Sequence, residues 1–286
     1  MNSYLNGIKR VFSRGLVLTR GLKALALGVS ISIVLISCVT TETSLYSVET
    51  SDKQAVKTYV DLALTYMAEG QTENAKRPLR LASEIDDNSP LVFAATAYLM
   101  QLQGDLDRAE KNYLRALKLA PDFQSARNNY GAFLYQQKRY QDAHGQFKQV
   151  AEDALYQKRY FAYENLGFCA IELKQSDLAI TYFEKALLLN GSLYRSTLAL
   201  AEIYYVRKEH GKAQSQLERY SELARLNQVP NTAKLFLLKL RIARATGDRA
   251  GQMKNVRALS TEFPDSIEYQ SYLESLGTTP IQRPNG

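Results

Sequence analysis

Apolar residues along this chain recur at the three- and four-residue spacings of a single helical face, as in Val60, Leu64 and Met67 or Tyr98 and Leu102. Short polar turns interrupt these runs at a regular interval. Gly70-Gln71-Thr72-Glu73-Asn74-Ala75 aligns with Gly104-Asp105-Leu106-Asp107-Arg108-Ala109, and again with Lys138 to Ala143, Lys174 to Ala179 and Lys208 to Ala213. The closing alanines stand 34, 34, 36 and 34 residues apart. A sixth turn opens at Gly247-Asp248-Arg249-Ala250, 39 residues after Lys208, so five extra residues are expected around Leu226 to Asn231. Each interval holds two helices and a turn, which predicts an all-α chain of about six antiparallel helix pairs.

Thirty-four residues is the period of the tetratricopeptide repeat, and the residues inside each unit resemble that family's pattern. Unit three shows Tyr130-Gly131 and Leu134, then Ala143 and Phe147; unit four shows Tyr163, Leu166-Gly167, then Ala179, Phe183 and Ala186. Pro121 after Ala120 and Pro264 after Phe263 mark the ends of second helices. The residue types have a packing reason. Ala63, Ala97, Gly131, Gly167 and Ala201 let the helices of a pair approach, while Tyr113, Phe147 and Phe183 fill the gaps between successive pairs. One pair alone leaves apolar faces bare, whereas a stack buries them in a continuous core and forms a superhelix with a concave groove. Gln252 stands where the sixth unit should have its Ala, which suggests a loosened or capping last repeat. Leu155 stands where the third should have Pro, and the first unit reaches Pro90 late.

In this repeat family the second, fifth, ninth, twelfth and thirteenth positions of each first helix face the groove. In unit one they are Lys57, Val60, Leu64, Met67 and Ala68; in unit two, Leu91, Ala94, Tyr98, Gln101 and Leu102. Val60, Leu64, Met67, Leu91, Tyr98 and Leu102 are therefore the candidate peptide groove, suited to an amphipathic helix or an extended apolar peptide. The same pattern is also that of a seam packed against neighbouring helices or a folded N-terminal segment, and the sequence leaves both readings open. Repeat domains that clamp a C-terminal carboxylate carry Lys and Asn at the fifth and ninth positions of their first unit. Val60 and Leu64 occupy those places here, which excludes that mode.

The N-terminal segment differs from the rest. A basic stretch ending at Lys23 is followed by fourteen uncharged residues, Ala24 to Ser37, short of the ~20 that span a bilayer but suited to the apolar core of a secretory signal peptide. An uncleaved membrane anchor with an incidental Cys is the competing reading. Leu35-Ile36-Ser37-Cys38 resembles the lipobox of bacterial lipoproteins, which implies cleavage before Cys38 and lipidation of its thiol. Several acyl chains at ~0.8 kcal/mol per buried methylene make a stable anchor. Asp after the lipidated Cys commonly marks inner-membrane retention; Val39 stands there, so the resemblance implies an outer-membrane address. The expected organisation is signal peptide 1–37, lipidated Cys38 and polar tether 38–51, repeat domain 52–276, and a disordered tail 277–286.

Charge and chemistry narrow the function. The formal charge of +7 includes Lys9, Arg10, Arg14, Arg20 and Lys23, and no acid precedes residue 38; removing those 37 residues leaves 249 with a charge of +2. The basic balance thus belongs to the targeting segment, and no nucleic-acid partner is expected. Two Cys and two His exclude a disulfide scaffold and a structural zinc finger. No dinucleotide, phosphate-loop, zincin, C-x-x-C or G-x-S-x-G motif occurs, so no catalysis, cofactor, metal or small-molecule substrate is expected. An enzyme would need Glu164, Glu172 or Glu202 buried with an unpaired His. His144 and His210 read instead as solvated helix-end or turn residues, and Cys169 as a buried small hydrophobe. The nineteen Tyr and ten Phe read mostly as packing residues.

With the lipobox, six repeats, Asn128-Asn129-Tyr130-Gly131-Ala132-Phe133-Leu134-Tyr135-Gln136-Gln137-Lys138-Arg139-Tyr140 and Glu164-Asn165-Leu166-Gly167, the chain resembles the type IV pilus biogenesis and stability lipoproteins of the PilF/PilW family. The likeness spans roughly residues 24–276 and includes the linker Asp153-Ala154-Leu155-Tyr156. It implies a pilotin, which binds the secretin subunit of the outer-membrane channel and promotes its localisation and multimerisation. The lipid would supply the address and the groove of units one and two the grip. A general envelope scaffold that recruits cell-wall enzymes or outer-membrane assembly components would share the lipobox and the repeats. Cys38→Ala is expected to release the protein from the membrane, read by envelope fractionation; normal outer-membrane recovery of that variant would contradict the lipid anchor.

Overall fold

The computed structural model describes residues 45–277, so the signal peptide, Cys38, the start of the tether and the tail beyond Gly277 lie outside the described residues. Within them thirteen α-helices and no strand occur. The pairs are α1 (Leu45–Ala68) with α2 (Thr72–Ile85), α3 (Pro90–Leu102) with α4 (Leu106–Leu119), and α5 (Gln124–Gln136) with α6 (Tyr140–Glu152). They continue with α7 (Arg159–Glu172) and α8 (Ser176–Leu189), α9 (Tyr194–Val206) and α10 (His210–Leu226), and α11 (Ala233–Thr246) and α12 (Arg249–Glu262). A last helix, α13 (Ile267–Glu274), packs on α11 and α12. The polar tether expected through Ser51 is shorter than the sequence suggested, because α1 already begins at Leu45.

The close-approach positions behave as their size requires, but Phe147 and Phe183, expected between successive pairs, pack inside their own pairs against Gly131 and Gly167. In the first five pairs the first helix carries a buried small residue, and sixteen residues later its partner helix carries a buried larger one: Ala63 and Leu79, Ala97 and Tyr113, Gly131 and Phe147, Gly167 and Phe183, Ala201 and Leu217. The two glycines face the two phenylalanines for a steric reason. A Cβ on Gly131 would stand 2.7 Å from the Phe147 ring, and one on Gly167 2.5 Å from the Phe183 ring. In the sixth pair the sizes exchange, with Leu240 at the small place and Val256 at the large one, both in a separate cluster with Leu259 and Phe236. Gln252, at the missing Ala, turns its amide onto the Ala243 carbonyl at 3.3 Å.

Every turn within a pair is closed the same way. The residue seven positions after the small one has a left-handed backbone: Gly70, Gly104 and Gly247 in units one, two and six, but Lys138, Lys174 and Lys208 in the three between. The next amide then reaches back to the carbonyl five residues earlier, as Arg139 does to Leu134 at 3.0 Å and Gln175 to Ala170 at 2.8 Å. Side-chain caps gather at the C-terminal end, where Thr232, Asp248 and Ser266 accept from the first turns of α11, α12 and α13.

Irregular spacing is absorbed locally. The insertion expected between units five and six lengthens α10 to 17 residues, with the remainder in the connection to Thr232. The two extra residues before unit four lie in the connection from Asp153 to Lys158, anchored by a Gln124 Nε2 donation to Asp153 Oδ2 at 2.9 Å. Successive first helices touch one another, α1 with α3, α3 with α5 and α5 with α7, so these helices share one face of the stack.

Gly167→Ala is expected to destabilise the chain by about 1–3 kcal/mol in urea denaturation, the usual penalty for a carbon forced into a filled core. Adding Phe183→Leu should recover part of the loss, because Ala opposite Leu is the combination used in units one and five. Unchanged stability of the single variant would contradict the size rule.

Candidate functional site

The six groove positions read from the sequence divide into two sets. Val60 is 0% and Met67 4% exposed, packed with Val56, Ala63, Ala75 and Leu79 in the N-terminal core. These two are seam residues, a correction with a simple cause: α1 presents one apolar stripe to α2 and α3 together, and both fall in its middle. Leu91 and Tyr98 are half-buried against the same core, while Leu64 and Leu102 remain 38% and 43% exposed. Of the six, the solvent-facing residues are therefore Leu64 and Leu102, flanked by parts of Leu91 and Tyr98; Leu62, also on α1, is a further exposed leucine. Leu91 also lines a shallow cleft of about 330 Å³ with Val56 and Lys57, at the foot of this face.

Further along, the first-helix face turns polar, which the sequence reading missed. Gln101 accepts from the Tyr113 hydroxyl at 2.9 Å, and its own amide donates to Gln136 at 2.7 Å. Asn165 donates to Asn128 at 3.3 Å, and the Tyr135 hydroxyl to Glu172 at 3.4 Å. Apart from Tyr113, on α4 of the same pair, each partner lies about one repeat away, so comparable positions on neighbouring first helices form a ladder. Amide and hydroxyl residues recurring at the repeat spacing were the available signal.

Comparison with known proteins places this arrangement. Tetratricopeptide repeat models match residues 102–158, and separately 56–89 and 162–192. The type IV pilus assembly protein PilF of Pseudomonas aeruginosa is 35% identical over 221 residues, covering 77% of this chain and 85% of that protein. The chain belongs to the PilF/PilW family of tetratricopeptide-repeat proteins. The solved structure of Pseudomonas aeruginosa PilF superposes with a TM-score of 0.74 at 32% identity, covering 79% of this chain and 99% of that one. That of PilW, described as a widely conserved type IV pilus biogenesis factor, gives 0.67 at 25% identity, covering 77% and 99%.

A hydrogen-bonded cluster forms around Tyr130. Glu110 Oε1 accepts from the Tyr130 hydroxyl and from Arg139 Nη1, each at 2.7 Å, while Arg139 Nε donates to Asp142 at 3.0 Å. This cluster ties α4 of unit two to α5 and the turn of unit three. Partial burial pushes the Glu110 carboxyl up, but the hydrogen bonds from Tyr130 and Arg139 and the guanidinium charge outweigh it and hold the carboxyl below its ordinary value.

The acids that an enzyme would have used each have a different partner. Glu164 is buried and accepts from Ser196 at 2.8 Å, with Arg195 at 3.8 Å stacked over Phe168; Glu202 pairs with Lys234 at 2.9 Å. None of the three bonds a histidine. The histidines are not the solvated residues expected. His144 is half-buried with Nε2 at 3.1 Å from the Tyr182 hydroxyl, and burial lowers its pKa; His210 has a buried Nδ1 without a partner. Cys169 is free and buried, and burial pushes its thiol up to about 12, so it stays a thiol at neutral pH. Among the described residues no three His, Cys, Asp or Glu converge as a metal site, and no helix is long and apolar enough to cross a membrane.

A carboxyl depressed in the folded state contributes stability above its unfolded pKa and loses it as pH falls through the folded one. Lowering pH from about 5.5 to about 3 should therefore reduce the urea midpoint, and reduce it less in Glu110→Gln than in the unaltered chain. Equal acid sensitivity of the two proteins would contradict the assignment.

Proposed function

We propose that this chain is a lipid-anchored, outer-membrane adaptor of the type IV pilus system that binds the secretin subunit and promotes its localisation and multimerisation. Family membership supports the setting: the relatives it resembles over most of their length are a type IV pilus assembly protein and a type IV pilus biogenesis factor. The observation that carries the mode of action is the exposed apolar pair Leu64 and Leu102 on touching helices, beside Tyr98 and Leu91. Two exposed leucines and a tyrosine ring on adjacent helices suit an amphipathic or extended apolar segment, whose burial there removes apolar surface from water on both partners. The partner is held without any covalent step. Lipid at Cys38 would fix the address, so that each secretin subunit is captured at the membrane where the channel assembles.

Leu64→Glu and Leu102→Glu place a charge where the partner's apolar side chains would pack, without entering the repeat core. Each is expected to weaken secretin-subunit binding by at least roughly tenfold in a titration, with the helical circular dichroism and melting temperature unchanged. Undiminished binding by both variants would remove the face from the account.

A further inference from the structure

At the opposite end of the first-helix face, α9, α11 and α13 enclose a cleft of about 580 Å³, within the size range of ligand sites. Its charge is one-sided. Lys208, Arg241 and Arg244 line it together with His210, and no Asp or Glu does. Elsewhere on the surface, arginines are commonly matched with acids, as Arg139 is with Glu110 and Asp142, and Arg225 with Glu222. Lys208, Arg241 and Arg244 have no ion-pair partner among the described residues. Three cations that line one cavity with no acid beside them present a positive surface that complements an anion. His210 lines the same cleft, and its Nδ1 is buried with no hydrogen-bond partner.

The rest of the lining is apolar and aromatic: Tyr205 and Val206 from α9, Leu237 and Leu240 from α11, and Tyr272 from α13. A free inorganic ion would make no use of these walls. A peptide carboxylate next to an apolar side chain would use both, with the planar guanidiniums of Arg241 and Arg244 suited to a carboxylate's two oxygens. We infer that this cleft between the fifth and sixth pairs is a second recognition site, which takes a carboxylate-bearing peptide segment with an apolar residue beside the acid. It is separate from the Leu64–Leu102 face and differs from it in chemistry, so a single partner strand or two different ones can engage the two ends of the stack.

The test uses the full chain with Cys38→Ala, which keeps it free of lipid, and fluorescence anisotropy of the labelled heptapeptide Gly-Ser-Gly-Phe-Asp-Asp-Leu. Binding is expected, and it should fall at least roughly tenfold in Arg241→Ala/Arg244→Ala, two exposed positions whose replacement leaves the melting temperature unchanged. The C-terminal amide of the peptide and its Asp-to-Asn form separate a chain-terminal carboxylate from a side-chain one; loss of binding in either form supports the site. Leu64→Glu should leave this binding intact, so failure of the secretin reading and failure of this one are distinguishable. No binding of the acidic peptide, equal binding by the double Arg variant, or Arg-dependent binding only to vesicles containing phosphatidylglycerol would overturn the proposal.

Discussion

The distance between the two helices of a pair governs this molecule, and in the first five pairs one contact sets it: a small residue on the first helix against a larger one sixteen positions later on the second. Gly131 against Phe147 and Gly167 against Phe183 leave no room for even a methyl group. Ala63, Ala97 and Ala201 face Leu79, Tyr113 and Leu217, equally buried. Because interiors are packed at crystal density, such a contact has one solution, and each pair leaves the same surface for the next pair to cover. The register of the first helices follows from it, and both candidate binding surfaces are built on those helices.

Those surfaces differ along the stack. The N-terminal end presents Leu64 and Leu102, the middle presents the paired amides Gln101 with Gln136 and Asn128 with Asn165, and the C-terminal end presents Arg241 and Arg244 with Lys208. Within the middle, polar side chains hydrogen-bond to one another across neighbouring repeats. At the two ends the surface is left chemically incomplete, apolar at one and cationic at the other. An adaptor that holds its partner without covalent chemistry needs such incompleteness, since affinity comes from what the partner supplies.

The repeat was legible in the sequence because its determinants are local and periodic. Turn spacing, the small packing positions and the insertion before α11 each required only counting, whereas the place of Phe147 and Phe183 inside their own pairs did not follow from it. The division of Val60 and Met67 from Leu64 and Leu102 was not legible, because a seam and a groove share one helical period and differ only in what lies across from them. The polar ladder escaped for a related reason: Gln101 and Gln136 acquire meaning only once α3 and α5 touch. The start of α1 at Leu45 ran against a stretch rich in Ser and Thr that reads as coil on composition. His210 looked like a solvated turn residue, yet α11 and α13, distant in sequence, close the cleft around it.

The measurement that bears most directly on the central claim is amide hydrogen exchange of the chain alone and with the secretin subunit, resolved by peptide mass spectrometry. The account predicts slowed exchange in α1 and α3 around Leu64 and Leu102, with the second helices α2 and α4 unaffected. Protection confined to second helices, or none anywhere on α1 and α3 despite a formed complex, would contradict it.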